Sequence, residues 1–270
     1  MSNSGDNDAG TGAEGRFAGR TALVSGGGSG IGAAVARRLA AEGARVHVAD
    51  VAFDNAAAVA REVGGAAHGV DVTDAAAVDA LVDEIAAEGA LDVVVHTAGV
   101  DDPVAKAWIR EAGEAGEPVD VIGRLSDEGW RRVMAVNLDG TFHVLRAAVR
   151  AMRPRGSGAI VTVGSSSAFD TLVGYPHYAA SKAAVHALSQ SVAKEAIAFG
   201  VRVNTVAPGP VDTPMAGRTP ASVRAAMEAT GALGYASADE LADNICYLAS
   251  PGASNVVGAV LLSNGGRFTV

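Results

Sequence analysis

Short runs of β-branched residues alternate along this chain with longer, alanine-rich segments of helical period, and that alternation admits few folds. Strands that are apolar on both faces need cover on both sides, which a parallel sheet with crossover helices provides. The pattern predicts strands over 21–25, 45–50, 66–70, 91–96, 159–164, 201–207 and 258–262. Helices fall between them: over 30–42, 54–63, from Thr73 or Asp74 to about 87, from a Ser126 cap to Met152, and over 175–199 and 237–249. About seven strands alternating with helices make an α/β fold, a doubly wound parallel sheet of Rossmann type. No repeat and no second domain interrupt it, so residues 16–270 read as one domain. The polar stretch Met1–Gly15 has no apolar segment and reads as a disordered lead-in. Residues 101–125 break the rhythm, being long for a strand-to-helix connection. Trp108 and Ile109 in their middle imply a segment that docks, at a substrate entrance or a subunit contact.

Composition narrows the partners. A net charge of −9 with no basic stripe or tail argues against nucleic acid and anionic membrane surfaces. Aromatic residues, at 4%, are too few for a base-stacking platform. No run approaches the roughly 20 apolar residues of a membrane span. The single Cys246 leaves no intramolecular disulfide, fits a reducing cytoplasm, and within an apolar helical stretch reads as core. Small metabolites are the expected partners, and no metal-ligand set stands out.

The stretch Ser25-Gly26-Gly27-Gly28-Ser29-Gly30-Ile31-Gly32 follows a predicted strand and opens a predicted helix. Glycines there allow a tight backbone path and close approach of a pyrophosphate, which the helix N-terminus favours with free N–H groups. The spacing is Gly-xxx-Gly-x-Gly at Gly26, Gly30 and Gly32, and no Lys-Ser/Thr pair follows, so this is not a nucleoside-triphosphate loop. Asp50 closes the second strand, where a carboxylate can accept both adenosine ribose hydroxyls and would repel a 2′-phosphate. Neither Val51 nor Ser29 supplies a positive charge, so NAD (NADH) is favoured and NADP disfavoured. Asp71 and Val72, after the third strand, are placed to hold the adenine by side chain and backbone.

Tyr178 and Lys182 lie four apart, on one face of a helix, in a chain with 3 lysines against 18 arginines. A phenol is a poor base near neutrality, and a nearby ammonium is expected to pull its pKa toward working pH. Removing a hydride from a secondary alcohol requires taking the hydroxyl proton, and reducing a ketone requires returning it.

With the glycine turn and this pair in hand, the chain resembles the short-chain dehydrogenase/reductase family from about Arg16 to Gly266. The resemblance implies that Ser165, thirteen residues before Tyr178, hydrogen-bonds the reacting oxygen. It implies that Asn137 positions a water linking Lys182 to solvent, completing a tetrad of Asn137, Ser165, Tyr178 and Lys182. Ile31 falls within the glycine turn. Pro208 and Gly209 resemble the family's turn under the nicotinamide, while Val211 and Thr213 match positions that contact its carboxamide. Asn264-Gly265-Gly266 resembles a terminal Asp-Gly-Gly. The usual Asn-Asn-Ala-Gly becomes His96-Thr97-Ala98-Gly99: Ala98 and Gly99 keep the close approach to the cofactor, one asparagine hydrogen bond is lost, and His96 reads as structural rather than as a base.

These features predict an NAD(H)-dependent oxidoreductase interconverting a secondary alcohol and a ketone, with Tyr178 as general acid/base. The alternatives are an NADPH-dependent 3-oxoacyl-thioester ketoreductase and, more remotely, a non-catalytic dinucleotide-binding regulator. The substrate pocket is expected to involve Ser165, Ala168, Phe169, Tyr175 and Met215, suiting a partly apolar, medium-sized molecule. The resemblance also implies a homotetramer in which the helices bearing Asn137 and Tyr178 pair across one interface.

Overall fold

The computed structural model describes residues 15–219, 221–230 and 233–270. Apart from Gly15, the stretch expected to be a lead-in lies outside the described residues. Seven strands, β1 (Thr21–Ser25), β2 (Arg45–Asp50), β3 (Ala66–Gly69), β4 (Val93–His96), β5 (Gly158–Val163), β6 (Val201–Pro208) and β7 (Val260–Ser263), form one sheet in the order β3-β2-β1-β4-β5-β6-β7. Every pairing is parallel. The chain moves outward one way from β1 to β3, then crosses back to lay β4 against the other side of β1. That reversal opens a crevice at the carboxyl ends of β1 and β4.

Side chains alternate across the sheet, and here both faces are buried. Val93 and Val95 face one core with Val24, Val46, Val48 and Val206, while Val94 faces the other with Leu23, Ile160 and Val203. This explains strands that read as continuous apolar runs. The first core is covered by α1 (Gly30–Ala41), α2 (Phe53–Val63) and α9 (Ala238–Ala249). The second lies under α3 (Ala75–Glu88), α6 (Gly140–Met152) and α7 (Pro176–Ala196). Cys246 is fully buried in the first core, and burial pushes its thiol up to about 12.

Helix starts follow local chemistry. Asp74 accepts the amides of Ala76 and Ala77 to cap α3, Ser126 accepts that of Gly129 to cap α5 (Asp127–Met134), and Ser237 with Glu240 forms a capping box on α9. The long helix predicted from Ser126 to Met152 is not continuous in type. A π-helical turn at Ala135–Asp139 separates α5 from α6 and holds Asn137 in its middle.

The irregular segment contains a helix, α4 (Pro103–Ala115), that periodicity did not reveal. Asp102 caps it, Pro103 takes its first turn, and Gly116 closes it at φ +68. Ala105, Ile109 and Val121 form a small core with Trp108, Val119, Tyr175 and Val223, and Arg124 lies 4.5 Å over the Trp108 ring. The segment therefore docks. A second unforeseen helix, α8 (Ala221–Thr230), follows the stretch after Thr213. Among the described residues no helix is long and apolar enough to cross a membrane.

Candidate active site

A cavity of about 510 Å³ runs along the carboxyl ends of the strands, from Asp50 and Asp71 past the glycine turn to Tyr178 and beyond. At the turn the backbone leaves β1 with Gly26 at φ +72, and a Cβ there would lie 2.5 Å from the Ala98 amide nitrogen. A Cβ on Gly32 would lie 2.5 Å from Thr97 Oγ1, so the first turn of α1 can rest against the strand ends only without side chains. Ser29 occupies the N-cap without a capping bond from its side chain, leaving the first amides of α1 beside Ser29, Gly30 and Ile31 without intrahelical partners. Such a cradle fits a pyrophosphate. Thr97, standing where the family has asparagine, donates its hydroxyl to the carbonyls of Ser25 (2.8 Å) and Gly26 (3.1 Å) and so fastens the turn.

At the end of β2, Asp50 accepts the amides of Gly28 (3.0 Å) and Ala52 (2.9 Å), one on each oxygen. Its carboxylate is thereby fixed at the cavity wall with lone pairs to spare. Asp71 and Val72 also line the cavity. Asp71 Oδ1 accepts the Thr73 amide and hydroxyl, and the Val72 carbonyl meets His143 Nδ1 at 2.9 Å. Ala98, Gly99, Pro208, Gly209, Val211 and Thr213 complete the middle of the wall.

Tyr178 sits in the first turn of α7 and Lys182 one turn later; in the cavity floor Tyr178 is half-buried and Lys182 buried. Ser165 follows β5 with an extended backbone, lines the same floor as Tyr178, and accepts from the Ser167 amide (3.1 Å) and hydroxyl (2.8 Å). Lys182 Nζ donates to the Val163 carbonyl at 2.9 Å and lies 6.0 Å from the centre of the Tyr178 ring. Burial pulls Lys182 down to about 8.

The Tyr178 phenol departs from the expectation that the ammonium would pull it down. Burial raises its pKa above the ordinary 10.0, the nearby Ser165 hydroxyl opposes that rise, and the charge of Asp101 adds to it. Lys182 donates to the Val163 carbonyl and, among the described residues, makes no hydrogen bond to the phenol oxygen, so burial dominates.

Asn137 is fully buried, and both its amide hydrogens are engaged. Nδ2 donates to the Val100 carbonyl and to Ser181 Oγ, each at 3.0 Å, while Oδ1 accepts the Val100 amide at 2.8 Å. The Asn137 side chain therefore fastens the stretch following Gly99 to α7. His96 carries no base chemistry: its Nδ1 lies 2.6 Å from Ser25 Oγ, and burial with the charge of Lys182 pushes it down to about 3.

The substrate end needs correction. Ser165, Tyr175 and Met215 line the cavity as expected, but Ala168 and Phe169 do not. The single 3-10 turn after Ser165 aims Ser166 and Ser167 inward and carries the chain away beyond them. Ala168 lines a separate depression with Ile122 and Val173, and Phe169 is partly exposed against the His186 ring, 5.1 Å away. In their place stand Leu172, Thr219, Met227 and Tyr235, together with Asp101 and Lys106 from the docked segment. None had a local signal, because each reaches the cavity from an element distant in sequence.

Comparison with known proteins agrees with this geometry. The family model described as enoyl-(acyl carrier protein) reductase matches residues 26–267. The cis-4-hydroxycyclohexanecarboxylate dehydrogenase of Sinomonas cyclohexanicum is 44% identical over 260 residues, 94% of this chain and 98% of that protein. The 3-oxoacyl-[acyl-carrier-protein] reductase of Escherichia coli K12 is 34% identical, over 94% of this chain and 99% of its own. A solved short-chain type dehydrogenase/reductase from Mycobacterium marinum superposes with a TM-score of 0.84 at 30% identity, covering 94% and 97% of the two chains. With likeness over nearly its whole length in both sequence and fold, the chain belongs to the short-chain dehydrogenase/reductases, oxidoreductases that work with a nicotinamide dinucleotide on secondary alcohols and ketones.

Proposed function

We propose that this chain is an NAD-linked dehydrogenase of a ring-bearing secondary alcohol, with Tyr178 as the group that moves the proton. The observation that carries the reading is the convergence of Ser165, Tyr178 and, one helical turn on, Lys182 on the floor of one cavity. The cofactor would lie with its pyrophosphate on the amides of α1, its adenosine ribose at Asp50 and its nicotinamide among Pro208, Gly209, Val211 and Thr213. A bound oxidised nicotinamide supplies the acceptor for the hydride. Ser165 orients the substrate oxygen. Tyr178 Oη takes its proton as the carbinol C–H bond breaks and the carbonyl forms, and returns it in the reverse direction. Because burial holds Tyr178 as the neutral phenol, the site is poised to donate, and oxidation gains as pH rises.

Asp50 supports NAD over NADP, since a 2′-phosphate would meet a carboxylate already fixed by two amides. That also weighs against an NADPH-linked 3-oxoacyl-thioester reductase, the activity class named for one relative. The relative at 44% identity acts on a hydroxylated cyclohexane ring, which makes small ring alcohols the first substrates to try. The reading includes a homotetramer pairing α5, α6 and α7 across one interface, supported by the partly exposed Trp130 and Phe142 on the first two. It also includes action on cytoplasmic metabolites.

The test is Tyr178→Phe. Turnover should fall about a thousandfold while NADH still binds, read by quenching of protein fluorescence. Near-native turnover in that variant would remove Tyr178 from the chemistry.

A further inference from the structure

At the far end of the cavity, the docked segment contributes a set of buried charges that hydride transfer does not use. Asp101 is 5% exposed and Lys106 is 7% exposed, and both line the cavity beside Tyr175, Thr219 and Tyr235. Lys106 Nζ lies 2.6 Å from Asp101 Oδ2 and donates to the Met215 carbonyl and Thr219 Oγ1, each at 3.2 Å. Arg218 donates to the other Asp101 oxygen at 3.0 Å from the half-exposed side. The Asp101–Lys106 contact is one of charge rather than an aligned hydrogen bond, since Asp101 Oδ2 has no hydrogen-bond partner. Among the described residues one hydrogen of the Lys106 ammonium is thus left without an aligned acceptor.

The charges around it do not cancel. Neighbouring Asp102 is taken by Arg132 (3.1 Å) and His177 (3.1 Å), besides capping α4 at the Val104 amide. Asp101 alone therefore answers both Lys106 and Arg218. Two carboxylates face three permanent cations, and of the three only Lys106 lines the cavity. Burying an ammonium is costly, and an apolar side chain of similar size would stabilise this wall at least as well. A ligand anion supplies what the protein lacks. Asp101 and Lys106 line the same cavity as Tyr175 and Tyr178, which sets this charged wall at the substrate end of the proton-transfer site.

We propose that Lys106 receives a carboxylate on the substrate, so that the chain acts on small ring alcohols or ketones bearing an acid group rather than on neutral ones. This rests on the reading of the Tyr178 site given above. The incoming carboxylate takes the free Lys106 hydrogen and the place of the two long contacts to the 215–219 stretch. Arg218 keeps Asp101 engaged from outside and prevents it from quenching the ammonium.

The experiment compares 4-hydroxycyclohexanecarboxylate with its primary carboxamide, a neutral match in shape, using native enzyme, Lys106→Met and Lys106→Arg. With native enzyme the ratio of kcat/KM, acid over amide, should be at least about thirtyfold, the scale of one charge-assisted hydrogen bond. It should collapse toward one in Lys106→Met, through KM rather than kcat, and recover in part in Lys106→Arg. In parallel, the NADH-bound enzyme is titrated with cyclohexanecarboxylate and cyclohexanecarboxamide, following NADH fluorescence. Tighter binding of the acid, lost in Lys106→Met, is the expected result. A native ratio near one, or an equal fall for acid and amide in Lys106→Met, overturns the proposal and leaves Lys106 as a strap on the 215–219 stretch. Should Lys106→Met fail to fold, the native acid-over-amide ratio and the Lys106→Arg ratio decide. Carboxylate-selective binding without hydride transfer would instead refute the dehydrogenase reading and leave the carboxylate site standing.

Discussion

His96 makes the stability of this fold depend on pH in a calculable way. It stands at the carboxyl end of β4, 1% exposed, with Nε2 facing no hydrogen-bond partner among the described residues. Burial first, and the charge of Lys182 second, push its pKa down to about 3. In the unfolded chain the imidazole titrates near 6.5. Between about pH 6.5 and 3 the unfolded state therefore holds the extra proton, so stability is whole above that window and is lost as pH falls through it. Going from pH 7 to pH 5, His96 alone withdraws about 2 kcal/mol, or roughly 4 °C of melting temperature for a domain of this size. His186, pushed down to about 4 by the same two causes, adds a parallel slope that a change at His96 leaves in place. His96→Asn keeps a polar group beside Ser25 and removes the titration. Melting curves of both proteins at pH 7 and pH 5, at constant ionic strength, should show the variant losing roughly 4 °C less on acidification. Any packing defect shifts both pH values alike and cancels. Equal losses in the two proteins would mean that His96 is not held neutral.

Two further outcomes are expected at the dinucleotide end. Asp50→Ala should lower kcat/KM for NADH at least tenfold, about one charge-assisted hydrogen bond, while that for NADPH holds or rises; steady-state rates with each coenzyme check it, and an unchanged NADH preference would refute the ribose role. Gly26→Ala places a Cβ against the Ala98 amide at a positive φ, so NADH affinity should drop at least about tenfold, as isothermal titration would show. Affinity within twofold of native would mean that the turn yields.

Much of the frame could be read from local pattern because the strands are buried on both faces and their helices carry ordinary caps. Asp74, Ser126 and Ser237 each begin a helix where a short polar side chain precedes an apolar period. Helix α4 escaped notice although Asp102-Pro103 and Gly116 are cap signals, because Gly113, Gly116 and Pro118 dilute the period around Ala105 and Ile109. The π turn at Asn137 was invisible for another reason: one extra residue in a turn barely alters which positions are apolar. Tyr178, Lys182 and Ser165 were found by spacing, which works within a helix and along a strand. Ala168 and Phe169 were misplaced because nearness to Ser165 in sequence does not tell which way a 3-10 turn aims. Lys106 carried no signal at all, since the groups that make it unusual, Met215 and Thr219, lie more than a hundred residues away.

The docked segment has an implication for how such a chain changes over time. It leaves the sheet after Val100, builds its own small core around Ile109, and hands over to the main architecture at Ser126. Its links to the remainder include a few ionic ties through Asp101, Asp102 and Lys106. Such a cassette can be lengthened, rewritten or replaced while the coenzyme half, on the other side of the crevice, continues unaltered. Descent with modification can then test new chemistry on the substrate side without renegotiating the hydride.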